Sequence, residues 1–85
     1  MTLTPAQSRA ARALIEWSQQ ELAAASRVGL STVRGFENGT RSPITNNLEA
    51  MRRALENQGV GFIVEGERVG VVYNGDVPAE ARLGA

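Results

Sequence analysis

The stretch Trp17-Ser-Gln-Gln-Glu-Leu-Ala-Ala-Ala-Ser26, continued by Arg27-Val-Gly-Leu-Ser-Thr-Val-Arg-Gly-Phe-Glu-Asn-Gly39, reads as two short helices around a tight turn. Ser18 and Glu21 stand three apart just ahead of Leu22. That is the spacing of a capping box, in which hydroxyl and carboxylate each satisfy an orphan amide at a helix start. A helix from Gln19 to about Ser26 follows, with Leu22 and Ala23 as its inner face, and residues Ser26 to Gly29 form the turn. The next helix begins near Leu30, points Val33 and Phe36 inward and stops at Asn38-Gly39, since glycine takes the left-handed cap conformation without strain.

Outward from this pair, Thr4 and Pro5 supply an N-cap and a first helical residue, and an Ala-rich run continues to Glu16 or Trp17. Its inner stripe at three-and-four spacing is Ser8, Ala11, Arg12 and Ile15, which places an arginine on an apolar face and calls for a partner. On the other side, a polar loop from Thr40 to Ile44 precedes a fourth helix, capped by Thr45, with Leu48, Met51 and Leu55 inward and Gly59 as its stop. From Val60 the pattern changes to Val-Gly-Phe-Ile-Val, a turn at Glu65 to Glu67, and Val-Gly-Val-Val-Tyr closed by Asn74-Gly75, which is a β-hairpin. The expected fold class is mainly α: four helices followed by a C-terminal hairpin. Residues 1–59 form the helical region, 60–75 the hairpin, and 76–85 a tail that reads as a turn of helix or a frayed end.

Composition narrows the function. The chain has 85 residues, 42% of them apolar, which suits one small core rather than two. It has no cysteine and no histidine, so disulfides, cysteine zinc sites and the commonest general base are missing; no metal and no cofactor are expected. No apolar run approaches the roughly 18 residues of a membrane span, and the start lacks a secretory pattern, so no membrane partner and a cytoplasmic address are expected. The net charge of zero is segregated: residues 1–53 carry seven Arg against four Glu, a net +3 that the remainder cancels. A basic head is compatible with polyanion binding by that part alone.

The residues of Trp17-Ser-Gln-Gln-Glu-Leu-Ala23 and Val28 to Gly39 resemble the lambda-repressor-like, Cro-type helix-turn-helix family, also called the XRE family. The likeness covers about Ala10 to Leu55, and the following Gly59-Val60-Gly61-Phe62 is similar to a bacterial branch with a short β-extension. It implies a DNA-binding fold that meets operator DNA as a dimer. The sequence departs from the family pattern at Gly29 and Gly35, where polar residues are usual, so the base-reading residues are taken from helix exposure instead. The resemblance also offers Glu37 as the partner of Arg12, as a structural ion pair between the first helix and the recognition helix.

A helix laid across the major groove presents the exposed residues of its N-terminal half to base edges. Here these are Leu30, Ser31, Thr32 and Arg34. Ser31 and Thr32 donate or accept at many bases, and Arg34 reaches guanine or phosphate. Leu30 touches a thymine methyl or belongs in part to the core. Gly35 inside a helix costs about 1 kcal/mol against Ala, so something lies close to its backbone, either a neighbouring helix or DNA. Phosphates fall to Gln19 at the start of the second helix, Arg41 in the loop, and Thr45, Asn46 and Asn47 at the start of the fourth, where free amides and the helix dipole favour an anion. Arg52 and Arg53 lie further along and read as solvated or paired with Glu49 or Glu56.

Two strands alone are marginal in water. The hairpin residues Phe62, Ile63, Val64, Val69, Val71, Val72 and Tyr73 are therefore expected to form a homodimer interface. The leading expectation is a homodimeric, sequence-specific transcriptional regulator of double-stranded DNA on pseudo-palindromic operators, and not an enzyme. The alternative is an antitoxin or interaction module that binds DNA and a regulatory protein partner, which the acidic tail favours. A hydrolase built on Glu65 and Glu67 has no cleft-forming sequence to support it.

Overall fold

A computed structural model that describes residues 3–74 has four helices followed by a two-stranded antiparallel sheet. The expectation for the tail at 76–85 lies outside the described residues. Helix α1 (Pro5–Leu14) opens on a capping box: Thr4 Oγ1 accepts from the Gln7 amide at 3.1 Å and Gln7 Oε1 accepts from the Thr4 amide at 3.0 Å. It ends at Leu14 rather than at Glu16 or Trp17. Glu16 takes a left-handed φ of 56°, its N–H bonding Ala13 O at 3.3 Å while the Trp17 N–H bonds Arg12 O at 2.9 Å. This is a Schellman closure on a residue that is not glycine, and a periodicity reading carries no sign of it.

Helix α2 (Gln19–Ser26) starts with the Ser18–Glu21 box, with hydrogen bonds of 3.0 and 2.9 Å. Arg27 then turns left-handed (φ 59°) and the Val28 N–H closes on Ala23 O at 3.2 Å. Helix α3 (Leu30–Glu37) follows two residues later and is closed in the same way by Gly39 at φ 84°. Helix α4 spans Thr45–Glu56. Thr45 is its first helical residue and not its cap: Ile44 holds the cap position, its carbonyl accepting from Leu48 N–H at 3.2 Å, with no side-chain hydrogen bond to the first turn.

The core gathers at the crossing of the helices. Leu22, Val33, Met51 and Leu55 are fully enclosed, with Ala11, Val28, Phe36 and Ala54 around them, and Leu3 and Val60 extend the cluster toward the hairpin. Strands β1 (Val60–Glu65) and β2 (Arg68–Tyr73) pair in the register Val60 to Tyr73, Phe62 to Val71 and Val64 to Val69, around a two-residue loop that needs Gly66 at φ 62°. Alternation puts Val60, Phe62 and Val71 on one face, and that face lies on the chain's own helices. Gln7 Nε2 donates to the carbonyls of Gly70 (3.2 Å) and Ile63 (3.5 Å), and the Arg52 guanidinium sits 5.1 Å from the centre of the Phe62 ring. Phe62 and Val71, expected from the sequence at a dimer interface, are half-buried against the core of their own chain. Ile63, Val64, Val69, Val72 and Tyr73 keep 36% to 50% of their surface exposed.

Candidate nucleic-acid interface

Helix α3 has two dissimilar sides. Val33, Phe36 and Glu37 are buried, whereas Ser31 and Arg34 are exposed and Thr32 half-buried. Leu30 is half-buried and packs on the core cluster, so only part of it is available outside. At the start of α4, Thr45 and Asn46 are exposed and Asn47 is half-buried. With no side chain capping that end, the Thr45 and Asn46 amides keep their donors for an outside acceptor, while the Asn47 amide bonds Ile44 O at 3.0 Å.

What fixes the height and tilt of α3 is a buried carboxylate. Glu37 is only 2% exposed, and its two oxygens accept from Arg12 Nε (2.9 and 3.1 Å) and Nη2 (2.6 Å), Ser8 Oγ (2.5 Å) and Gln19 Nε2 (3.0 Å). Arg12 also donates Nη1 to Trp17 O at 3.0 Å, and Arg9 donates to the Glu37 main-chain carbonyl. One side chain therefore ties α1, α2 and the intervening turn to the end of α3. Burial by itself pushes the Glu37 carboxyl upward, but the hydrogen bonds from Arg12, Ser8 and Gln19, with the Arg12 charge, outweigh it and hold the group below its ordinary value. It is ionised at neutral pH.

The geometry is that of a helix-turn-helix, and the family described as Helix-turn-helix matches residues 9–58. The chain belongs to that family. It is a lambda-repressor-like, XRE-type helix-turn-helix protein, and DNA binding by such domains makes it a DNA-binding regulator. The match takes in most of α1 and all of α2, α3 and α4, and ends before the hairpin. No curated protein matches the chain. Among the described residues of this helix-turn-helix protein, no helix is long and apolar enough to cross a membrane.

Two placements in the helix-turn-helix differ from a reading of position alone. Gln19 stands at the start of α2, but its side-chain amide is directed at Glu37, which leaves a phosphate its second N–H and the main-chain amides of Gln19 and Gln20, since Ser18 takes the Glu21 amide. Arg41 does not extend from the loop: its stem folds back over α3 at Gly35. Gln7 and Ser8 were missed as tethers. Both lie on α1 at buried positions; Ser8 shares the side of Arg12, four residues on, which is the signal that marks it, whereas Gln7 bonds the hairpin.

Proposed function

We propose that the chain is a sequence-specific transcriptional regulator that binds pseudo-palindromic operators as a homodimer. The observation that carries this reading is the polar outer edge of α3, Ser31, Thr32 and Arg34, on a helix whose inner side is locked to α1 and α2 through Glu37. A reading helix needs that combination, because base discrimination is lost when the donors drift by an ångström or more. Ser31, Thr32 and Arg34, with the free edge of Leu30, meet the base edges. The uncapped amino end of α4, with Thr45, Asn46 and Asn47, and Gln19 with the first two amides of α2 meet phosphates on either side.

Exposed apolar residues on the hairpin support self-association: Ile63 and Val72 on its outer face, and Val64, Val69 and Tyr73 at the uncovered ends of the face that carries Phe62 and Val71. A two-fold pair would set the recognition helices about 34 Å apart, to fit half-sites whose centres are about 10 base pairs apart. Selection of bound duplexes from a random pool is the test. The expected product is a two-fold sequence for the intact protein and a degenerate one for Arg34→Ala. A pool that stays random for the intact protein contradicts the reading. For assembly, Val72→Lys should turn a sedimenting dimer into a monomer with its thermal melt unchanged, and a dimer that survived both Val72→Lys and Val69→Lys would exclude the hairpin.

A further inference from the structure

Gly35 lies on the outer face of α3, since Ser31, Arg34, Gly35 and Asn38 follow the three-and-four spacing of one helix side. Yet Gly35 is buried, and what covers it is Arg41. A Cβ placed on Gly35 would stand 2.5 Å from Arg41 Cγ, 2.6 Å from Cδ and 3.0 Å from Cβ. These are atoms of the stem and not of its mobile end, so an added methyl would have to displace the whole side chain. The loop is held there as well: the Thr40 and Arg41 amides donate to Gly35 O at 2.8 and 3.0 Å, and Thr40 Oγ1 reaches the same carbonyl at 3.3 Å. Arg41 is exposed, and its guanidinium makes no hydrogen bond or ion pair among the described residues. The stem is seated and the head is free.

We propose that Arg41, seated in the notch left by Gly35, is a specificity-determining residue that reads a guanine in the major groove beside Ser31 and Arg34. The helix gives up its own side chain at the centre of its outer face, and the loop supplies one from position 41. A guanidinium is the group that pairs with guanine O6 and N7 at once, and fixing three stem carbons removes rotamer freedom that would otherwise be lost on binding. The assignment moves Arg41 from the phosphate set to the base-reading set and rests on the DNA reading proposed above. It also answers what lies against Gly35: a side chain of the same chain, through which the glycine acts as a positioning residue.

The experiment uses the full chain and the duplex it selects, with each base pair replaced in turn, read by fluorescence anisotropy for the intact protein, Arg41→Ala, Arg41→Lys, Gly35→Ala and the double alanine variant. The intact protein should lose about tenfold or more in affinity when one particular G·C pair is replaced. Arg41→Ala should lose a similar factor on the parent duplex and become indifferent to that pair alone. Arg41→Lys keeps the charge but not the fork and should lose the same discrimination. Gly35→Ala should reproduce the Arg41→Ala profile, and the double alanine variant, in which Arg41 Cγ and Cδ are gone, should melt at or above Gly35→Ala, which separates displacement from misfolding. The double variant should be no worse than either single. A uniform loss for Arg41→Ala on every duplex, or intact discrimination by Gly35→Ala, would overturn the assignment while leaving the DNA reading in place. A chain that selects no sequence at all would overturn both, before any variant is made.

Discussion

Removing either partner of the Arg12–Glu37 pair should destabilise the protein strongly and unequally. In Arg12→Ala the Glu37 carboxylate, 2% exposed, keeps only Ser8 Oγ and Gln19 Nε2 of its side-chain donors and loses three of the five hydrogen bonds described above. Leaving a buried charge without its counter-charge costs about 3–5 kcal/mol. In Glu37→Ala the stranded group is Arg12, whose side chain is already 18% exposed and keeps Trp17 O, so its head can turn toward water. That variant should lose less, roughly 2–3 kcal/mol, chiefly from donors left unpaired at Ser8 and Gln19. For a domain of this size, 3 kcal/mol lowers the melting temperature on the order of 15 °C. Replacing both residues by apolar ones should recover part of the loss, because neither charge is then buried alone. Urea unfolding of the four proteins at pH 7 gives the cycle, the denaturant slope serving as a check on two-state behaviour. Two small losses, each under about 1 kcal/mol and additive in the double variant, would show that the pair contributes no coupling and that α3 is held by apolar packing alone.

Other consequences follow from the same geometry. Ser8→Ala should cost about 1.5–3 kcal/mol in urea unfolding, because a fully buried hydroxyl donates to a charged oxygen there; a loss of a few tenths would mean that this bond is dispensable. Since the Glu37 carboxyl lies below its ordinary value when folded, the unfolded chain takes up its proton first. The stabilisation is therefore complete above about pH 4.3, the ordinary carboxylate value, and is lost as the pH falls through the lower folded value. Urea midpoints between pH 7 and pH 3 should fall with acid more steeply for the intact protein than for Glu37→Gln, and equal slopes would remove Glu37 from the account. Affinity for the selected duplex should fall with salt at a log–log slope of roughly −0.9 per phosphate neutralised, shallower by about one such step in a variant that loses a phosphate contact; a salt-independent affinity would exclude the phosphate set.

The helix-turn-helix was legible because its boundaries are written in local chemistry. The Ser18–Glu21 box and Gly39 both act within a few residues, so α2 and α3 begin and end where the sequence places them. The end of α1 was not legible, because Glu16 is not a residue type that marks a left-handed cap: the turn is held instead by Arg12, which binds Trp17 on both sides, through main chain and guanidinium. Thr45 misleads for a related reason, since a capping residue type one position late looks the same in sequence. Arg12 announced its need for a partner, but the share of Ser8 and Gln19 in the same carboxylate depends on three elements meeting, which spacing within one element cannot reveal. Gly35 was visible as an anomaly, and only the folded loop identifies Arg41 as its neighbour. The hairpin was legible from its alternation and its turn near Gly66, but Glu65 belongs to the first strand opposite Arg68 rather than to the turn, and which face lies on the helices depended on Gln7 and Arg52, outside the hairpin.

The most direct measurement is the map of backbone amide chemical shifts as the selected duplex is added to isotopically labelled full chain. The expected result is that the largest changes fall on Gly29–Arg41 and on Thr45–Asn47, with smaller ones at Gln19 and little change at the buried positions of α1. Changes concentrated on the hairpin with α3 unaffected, or none anywhere at saturating duplex, would contradict the assignment of α3 as the reading helix.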